Sequence, residues 1–115
     1  MSHRPERLAE AIKVEMADLL LNEIKDPRVG FATITSVNVS SDLKYAKIHV
    51  SVLGDQEKKE NAIQGLQKAQ GFIRTELGQR IRLRHVPEIS FKLDQSFDHG
   101  VRIMKLLDEV KNEDV

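Results

Sequence analysis

Residues 45–52 alternate between polar and apolar side chains, and this alternation limits the possible folds more than any other feature. Successive side chains of a β-strand point to opposite faces, so the pattern predicts a strand with one packed face and one exposed face. The packed set is Ala46, Ile48, Val50 and Val52, and the exposed set is Tyr45, Lys47, His49 and Ser51. The segment EISFKL repeats the pattern, with Ile89, Phe91 and Leu93 inward. Such strands need helices on one face of the sheet.

Apolar residues at helical spacing predict the helices that cover this sheet. The predicted elements are a helix from about Pro5 to Ile24, a strand from about Phe31 to Val39, the strand 45–52, a broken helix ending near Val86, the strand 88–93, and a helix from Ser96 or Asp98 to about Val110. The long helical connection between the second and third strands permits a crossover. We therefore expect an α+β fold, with helices packed on one face of a three-stranded mixed sheet. The length of 115 residues suits a single domain, 1–115, with a frayed end at 111–115.

The composition argues against several kinds of site. The chain has no cysteine, which removes disulfides, thiolate metal sites and cysteine nucleophiles. Charged residues interrupt the N-terminal segment, so we expect neither a signal peptide nor a membrane span, and the protein should be soluble and cytoplasmic. With four phenylalanines, one tyrosine and no tryptophan, it is not expected to recognise bases mainly by aromatic stacking.

Positive charge is concentrated in residues 68–85, KAQGFIRTELGQRIRLRH, although the whole chain has no net charge. One acid, Glu76, stands among five basic residues, which are Lys68, Arg74, Arg80, Arg82 and Arg84. In contrast, residues 88–115 hold seven acids and four bases. A local excess of cations favours binding to a polyanion such as RNA.

Two glycines accompany these cations. Gly71, Thr75, Gly78 and Arg82 share one face of a helix, opposite the apolar stripe that contains Ile73 and Leu77. Glycine in a helix costs roughly 1 kcal/mol relative to alanine, so a pair of glycines suggests close approach of a phosphate chain to the backbone. Structural explanations stay open: Gly71 could mark a kink, and Gly78 could be a C-cap that leaves QRIRLRH extended.

The histidines and the segment 94–100 do not predict a metal site. His3, His49, His85 and His99 are scattered without the spacing of metal ligands. Asp94, Ser96, Asp98 and Gly100 imitate the start of a calcium loop, but the glycine is one place late and Lys105 stands where glutamate is required. We interpret these residues as helix caps and expect no metal and no cofactor.

The chain resembles the ribosome-binding factor A family over almost its whole length. The resemblance rests on RPERLAEAIKVEMADLLLNEIKDPRVG, on ITSVNVSSDLKYAKIHVSVLG, and on Ala69, Gln70 and Gly71 opening GFIRTELGQRIRLRHVPEISFKLDQSFDHGVRIMKLLDEV. It implies a KH-like fold of the second type, α-β-β-α-kink-α-β-α, with Ala69 and Gly71 at the kink. It also implies a bacterial cytoplasmic factor without enzymatic activity. Such a factor binds the immature small (30S) ribosomal subunit and assists maturation of 16S rRNA near its 5′ end, especially in the cold.

The residues and the resemblance together predict an RNA-binding surface on a monomeric protein. The predicted contacts are Lys68, Ala69, Gly71, Arg74, Gln79, Arg80, Arg82 and Arg84, and the secondary candidates are Arg4, Arg7, Lys25, Arg28 and Lys47. The alternative is a module that binds a ribosomal protein or another assembly factor through the open sheet face or the acidic last helix. A third hypothesis, an RNA-processing enzyme that uses His49 or His85, is the least favoured.

Overall fold

The computed structural model describes residues 4–30 and 32–94. Its elements are α1 (Arg4–Asn22), a 3-10 turn (Pro27–Val29), β1 (Ala32–Val39), β2 (Tyr45–Val52), α2 (Gln56–Lys68), α3 (Gln70–Ile81) and β3 (Glu88–Leu93). The predicted last helix, the frayed end at 111–115 and most of the segment 94–100 lie outside the described residues. Within the described residues, no helix is long and apolar enough to cross a membrane.

α1 is the main core helix, as its apolar stripe predicts. Ile12, Met16 and Leu19 are completely buried, and each such side chain contributes roughly 1.5–3 kcal/mol by leaving water. The helix ends at Asn22, two residues before the predicted end. Pro27 accounts for a nearby stop, since it holds Asp26 in an extended conformation, with φ −76° and ψ 121°.

The three strands form one mixed sheet in the order β1-β2-β3. β1 and β2 are antiparallel, with a bulge between Ile34 and Ser36, whereas β2 and β3 are parallel. The parallel pair is connected through α2 and α3, which is the crossover that the sequence predicts. The α+β fold and the mixed sheet are confirmed.

One face of the sheet carries the core, as the alternation predicts. Ala46, Ile48, Val50 and Val52 of β2 are buried, and Tyr45 and Lys47 are exposed. Ile89 and Phe91 of β3 are buried on the same side, where they meet Leu66, Ile73 and Leu77 of the helices. The opposite face is polar and carries Ser90 and Lys92 exposed to solvent. Helices therefore lie on one face only among the described residues.

The break between α2 and α3 lies at Ala69, one of the two residues that the resemblance puts at the kink. Ala69 has φ −84° and ψ 3°, and Gly71 already belongs to the first turn of α3. α3 continues through Gly78 to Ile81, so Gly78 is not a C-cap and the segment QRI is not extended. Arg82 ends the helix in the left-handed conformation, with φ 59° and ψ 48°.

Candidate nucleic-acid interface

The α2–α3 junction leaves polar backbone groups without a side-chain cap. Ala69, at the N-cap position of α3, makes no side-chain hydrogen bond to the helix, as expected of an alanine. The first N–H groups of a helix have no intrahelical acceptor, and the helix dipole makes this end favourable for an anion. The start of α3 is fixed in place, because the Gln70 side-chain amide donates a hydrogen bond to the Ile89 carbonyl of β3.

The two glycines of α3 have different surroundings. A Cβ added to Gly71 would meet no atom within 4 Å, so this part of the helix backbone is open to an approaching molecule. A Cβ added to Gly78 would lie 2.8 Å from Val86 Cγ2, so this glycine permits close packing of the segment that leads to β3. The predicted bare face therefore contains one open glycine, and Gly78 has a structural role.

The exposed residues of the segment 68–85 include no acid. We call this set the α3 surface, and it consists of Lys68, Gly71, Phe72, Arg74, Thr75, Gln79, Arg82, Arg84 and His85. The only acid in the segment, Glu76, has a side chain that is 25% exposed and lies 3.8 Å from Arg80 Nε. The charge of this surface is therefore positive.

Three cations of the α3 surface lie toward its two ends, and Arg74 lies between them. Lys68 ends α2, whereas Arg82 and Arg84 follow α3, whose 12 residues extend over roughly 18 Å. Among the described residues, no carboxylate forms an ion pair with Arg82 or Arg84. The structure therefore does not gather all the predicted cations around Gly71.

Arg74 remains exposed, but its guanidinium is bound to the backbone. Its Nη2 donates to the Val86 carbonyl at 3.1 Å, and its Nε donates to the Pro87 carbonyl at 3.3 Å. These bonds attach α3 to the start of β3. Because Arg74 is exposed and has no carboxylate partner among the described residues, its charge still adds to the α3 surface.

Arg80 points away from the α3 surface, toward α1. Its Nη1 lies 2.6 Å from Asp18 and 3.2 Å from Glu15, and only 22% of its side chain is exposed. Glu23 and Glu76 are also within 4 Å of the guanidinium, at 3.9 Å and 3.8 Å. Hydrogen bonds from Arg80 hold the pKa of Asp18 below its usual range, and the Asp18 carboxylate raises the pKa of Arg80. Arg80 therefore joins two helices and is not available to bind phosphate in this structure.

The secondary candidates are dispersed over the molecule. Arg28 forms a bidentate pair with Asp26, with Nη2 at 2.6 Å from Oδ2 and Nε at 3.0 Å from Oδ1. This pair packs near Gly65 of α2, and Lys68 is close enough to Asp26 to lower the pKa of that carboxyl. The others are exposed at the start of α1 (Arg4, Arg7), before the 3-10 turn (Lys25) and on the open sheet face (Lys47). Only the pair at Asp26 and Arg28 adjoins the α2–α3 junction.

Phe72 is not among the RNA contacts predicted from the sequence, and it is 46% exposed beside Gly71. A signal was available, because Phe72 falls outside the buried stripe of Ile73 and Leu77. An apolar residue off the stripe of an amphipathic helix is expected to face solvent. Phe72, Thr75 and Gln79 follow each other at spacings of three and four on the exposed side of α3.

The family model of ribosome-binding factor A matches residues 4–107. The chain belongs to this family. Ribosome-binding factor A of Desulforamulus reducens is 55% identical over 114 residues, which cover 99% of this chain and 95% of that protein. The resemblance stated from the sequence is therefore confirmed over nearly the whole chain.

Solved structures of ribosome-binding factor A have the same fold. The crystal structure of the factor from Thermus thermophilus has a TM-score of 0.68 at 24% identity, and the match covers 77% of this chain and 94% of that one. A homology model of the T. thermophilus factor, fitted into a cryo-EM map of its 30S complex, has a TM-score of 0.64 at 23% identity. That match covers 84% of this chain and 97% of the other. At these identities the likeness shows the fold.

Proposed function

We propose that this chain binds the immature small ribosomal subunit and assists maturation of 16S rRNA near its 5′ end, using the α3 surface to contact RNA phosphates. Membership of the ribosome-binding factor A family supports binding to the ribosome, as does the 30S complex of the Thermus factor. The observation that carries the RNA-binding step is the absence of any acid among the exposed residues of the segment 68–85. A polyanion can therefore approach this side of the molecule without repulsion from the surface it covers.

The contacts differ along α3. At its start, open Gly71 lets a phosphate approach backbone N–H groups, and Lys68 adds a charge. At its end, Arg82 and Arg84 supply two guanidinium groups that can each bind a phosphate through paired hydrogen bonds. Because the two ends are roughly 18 Å apart, they reach phosphates in different parts of the RNA, which favours recognition of a folded shape over a base sequence.

Two of the predicted contacts have a positioning role in this proposal. Arg80 fixes α3 against α1 through Glu15 and Asp18, and Arg74 fixes α3 against the start of β3. Both residues hold the α3 surface in place, and Arg80 does not reach the RNA. In this proposal the protein acts on the rRNA by binding alone.

The proposal can be tested with the double variant Arg82→Gly, Arg84→Ala. Glycine suits position 82, because the residue there has a φ of 59°, so the fold should be retained. The loss of two phosphate contacts should reduce the slope of log K against log salt by about 2, with weaker binding at every salt concentration. Binding is measured on immature small subunits and on protein-free precursor 16S rRNA.

The matched control is Lys92→Ala, which removes an exposed cation from the opposite, open face of the sheet. Its salt slope should equal that of the unmodified protein. An unchanged slope in the double variant would remove the α3 surface from the mechanism. Binding to subunits without any salt-sensitive binding to protein-free rRNA would favour the alternative, docking on a ribosomal protein through the open sheet face.

A further inference from the structure

Phe72 is the one phenylalanine in the α3 surface, and the other ring in that set is the His85 imidazole, which lies after the end of α3. Its side chain is 46% exposed, whereas Phe91 of β3 is 5% exposed and belongs to the core. An exposed phenylalanine is by itself an ordinary feature of a protein surface. The residues around Phe72 indicate which kind of group its ring binds.

Two neighbours of Phe72 on the exposed side of α3, Gly71 and Thr75, are small. Gly71 has no side chain and is open to solvent, and the Thr75 hydroxyl donates to the Gly71 carbonyl at 3.0 Å, which holds that side chain against the helix. Glu76 lies one turn after Phe72, but its carboxylate is directed to Arg80. A flat group can therefore reach the ring without meeting a long side chain from Gly71 or Thr75.

The charge around the ring identifies the kind of group that fits. The α3 surface has cations on both sides of Phe72, with Lys68 before it and Arg82 and Arg84 beyond it, and it has no acid. An apolar peptide side chain would gain nothing from these charges. A nucleobase combines a flat apolar face with a phosphate chain, so it satisfies the ring and the cations together.

We propose that Phe72 stacks on an unpaired base of the RNA whose phosphates contact Lys68, Arg82 and Arg84. This inference rests on the proposed function and adds its substrate class: a single-stranded or unstacked nucleotide next to a structured region. Stacking on an aromatic ring is tolerant of base identity, since every base has a flat face. It also contributes a part of the affinity that does not depend on salt, unlike the phosphate contacts.

The test compares two RNA probes that carry the same phosphates. The probes are a short single-stranded oligoadenylate and an abasic strand of the same length, each titrated with the full chain at several salt concentrations. The unmodified protein should bind the oligoadenylate about tenfold more tightly. Phe72→Ala and Phe72→Leu should both lose this preference, because leucine retains apolar bulk without a flat ring.

The salt dependence separates failure of this inference from failure of the proposed function. The Phe72 variants should keep the salt slope of the unmodified protein, and Arg84→Ala should reduce the slope while keeping the preference for bases. Equal binding of both probes by the unmodified protein, or a preference that survives in Phe72→Ala, would overturn stacking and leave the phosphate contacts intact. The proposed function fails separately, if the unmodified protein shows no salt-sensitive binding to precursor 16S rRNA.

A further outcome would assign the ring to a protein partner. If Phe72→Ala binds both RNA probes as the unmodified protein does, but binds immature subunits more weakly, the ring docks on a ribosomal protein and the stacking proposal is wrong. Far-ultraviolet circular dichroism and thermal melting of each variant establish that the fold is retained. Little change is expected, because the Phe72 ring is not part of the buried core.

Discussion

α3 has two sides with opposite electrostatic character. The α3 surface has cations and no acid, whereas the other side of the helix carries Arg80 into a cluster of carboxylates. On that other side Arg80 meets Glu15 and Asp18 of α1, and Glu23, which follows α1, lies 3.9 Å from its guanidinium. α3 therefore has exposed cations on one side and, on the other, an arginine whose charge is neutralised within the protein.

The difference shows that the number of cations in a segment does not measure its capacity to bind RNA. Arg80 and Arg82 are two residues apart, yet Arg80 is engaged by Asp18 and Glu15 of α1, and Arg82 is exposed. The direction of each side chain decides whether its charge is neutralised within the protein or presented to a ligand. In the proposed function RNA therefore lies on the α3 surface, and the side of α3 that carries Arg80 and its carboxylates does not contact it.

Arg80→Ala should have the largest effect of the changes considered, and the effect should be on stability. The variant loses the link between α1 and α3 and leaves Glu15, Asp18 and Glu76 close together without a cation. We expect the melting temperature to fall by several degrees, and to recover in part at roughly 1 M salt, which screens the repulsion. Thermal melting curves, recorded by circular dichroism at low and high salt, measure the fall in melting temperature and its recovery.

Arg84→Ala is the matched control, because it removes an exposed arginine from the same segment. Its melting temperature should be unchanged, while its salt slope for RNA decreases. Arg80→Ala should lower the melting temperature and leave the salt slope for RNA unchanged. A stable Arg80→Ala protein with a reduced salt slope would contradict this distinction between Arg80 and Arg84, since Arg80 would then be an RNA contact in solution.

The sequence contained part of the information needed to place Arg80. It follows Leu77 by three residues and Ile73 by seven, so helical spacing puts it beside the buried stripe and not on the outer face. What could not be predicted is the approach of Asp18 and Glu15, which are far away along the chain. Their position depends on how α1 packs across the sheet, and no local pattern encodes that.

Elements with a simple period were predictable in detail. The alternation in 45–52 and 88–93 gave the buried face of both strands, because the two-residue period of a strand leaves no choice of face. The resemblance puts Ala69 at the helix break, but the periodicity alone does not predict its position to the residue. Alanine and glycine can both continue a helix, so the sequence Ala69-Gln70-Gly71 is compatible with a break at several places, and the packing of Gln70 on β3 decides among them.

Gly71→Ala and Gly78→Ala should sharpen the distinction between open and packed positions on α3. Alanine at position 71 meets no atom within 4 Å, so the helix should gain roughly 0.5–1 kcal/mol, while RNA binding weakens severalfold if phosphates approach this backbone. Alanine at position 78 would meet the stiff side chain of Val86 at 2.8 Å. We expect a net loss of stability of up to about 2 kcal/mol there.

Chemical denaturation gives the stability of both glycine variants, and titration with precursor 16S rRNA gives their affinity. The proposal predicts that Gly71→Ala raises the stability of the protein and weakens its binding to RNA. Unchanged RNA affinity in Gly71→Ala would mean that the RNA does not approach the helix backbone there. Equal stabilisation in both variants would mean that Val86 moves away at little cost.

The smallest expected effect concerns Asp26 and Arg28. Like Arg80, Arg28 is paired with a carboxylate, but here the two residues are close together in the chain. The side-chain hydrogen bonds from Arg28, followed by the Arg28 backbone N–H, lower the pKa of Asp26 to about 2. The usual pKa of aspartate is near 4, so the folded state holds this proton less strongly than the unfolded state. The pair therefore adds stability above about pH 4, and this stability is lost as the pH falls toward 2.

Asp26→Asn should be slightly less stable than the unmodified protein at neutral pH and should lose less stability between about pH 4 and pH 2. Both residues are partly exposed and the pair is local, so the change in melting temperature should be small. Arg28→Gln should flatten the same acid limb only in part, because the backbone N–H of residue 28 still donates to Asp26. Asp26→Asn also releases Arg28 next to Lys68, so the salt slope for RNA should become steeper by up to about one. A steeper slope would show that intramolecular carboxylates, and not the number of cations, limit how this protein holds RNA, whereas an unchanged slope would place Arg28 outside the RNA contact.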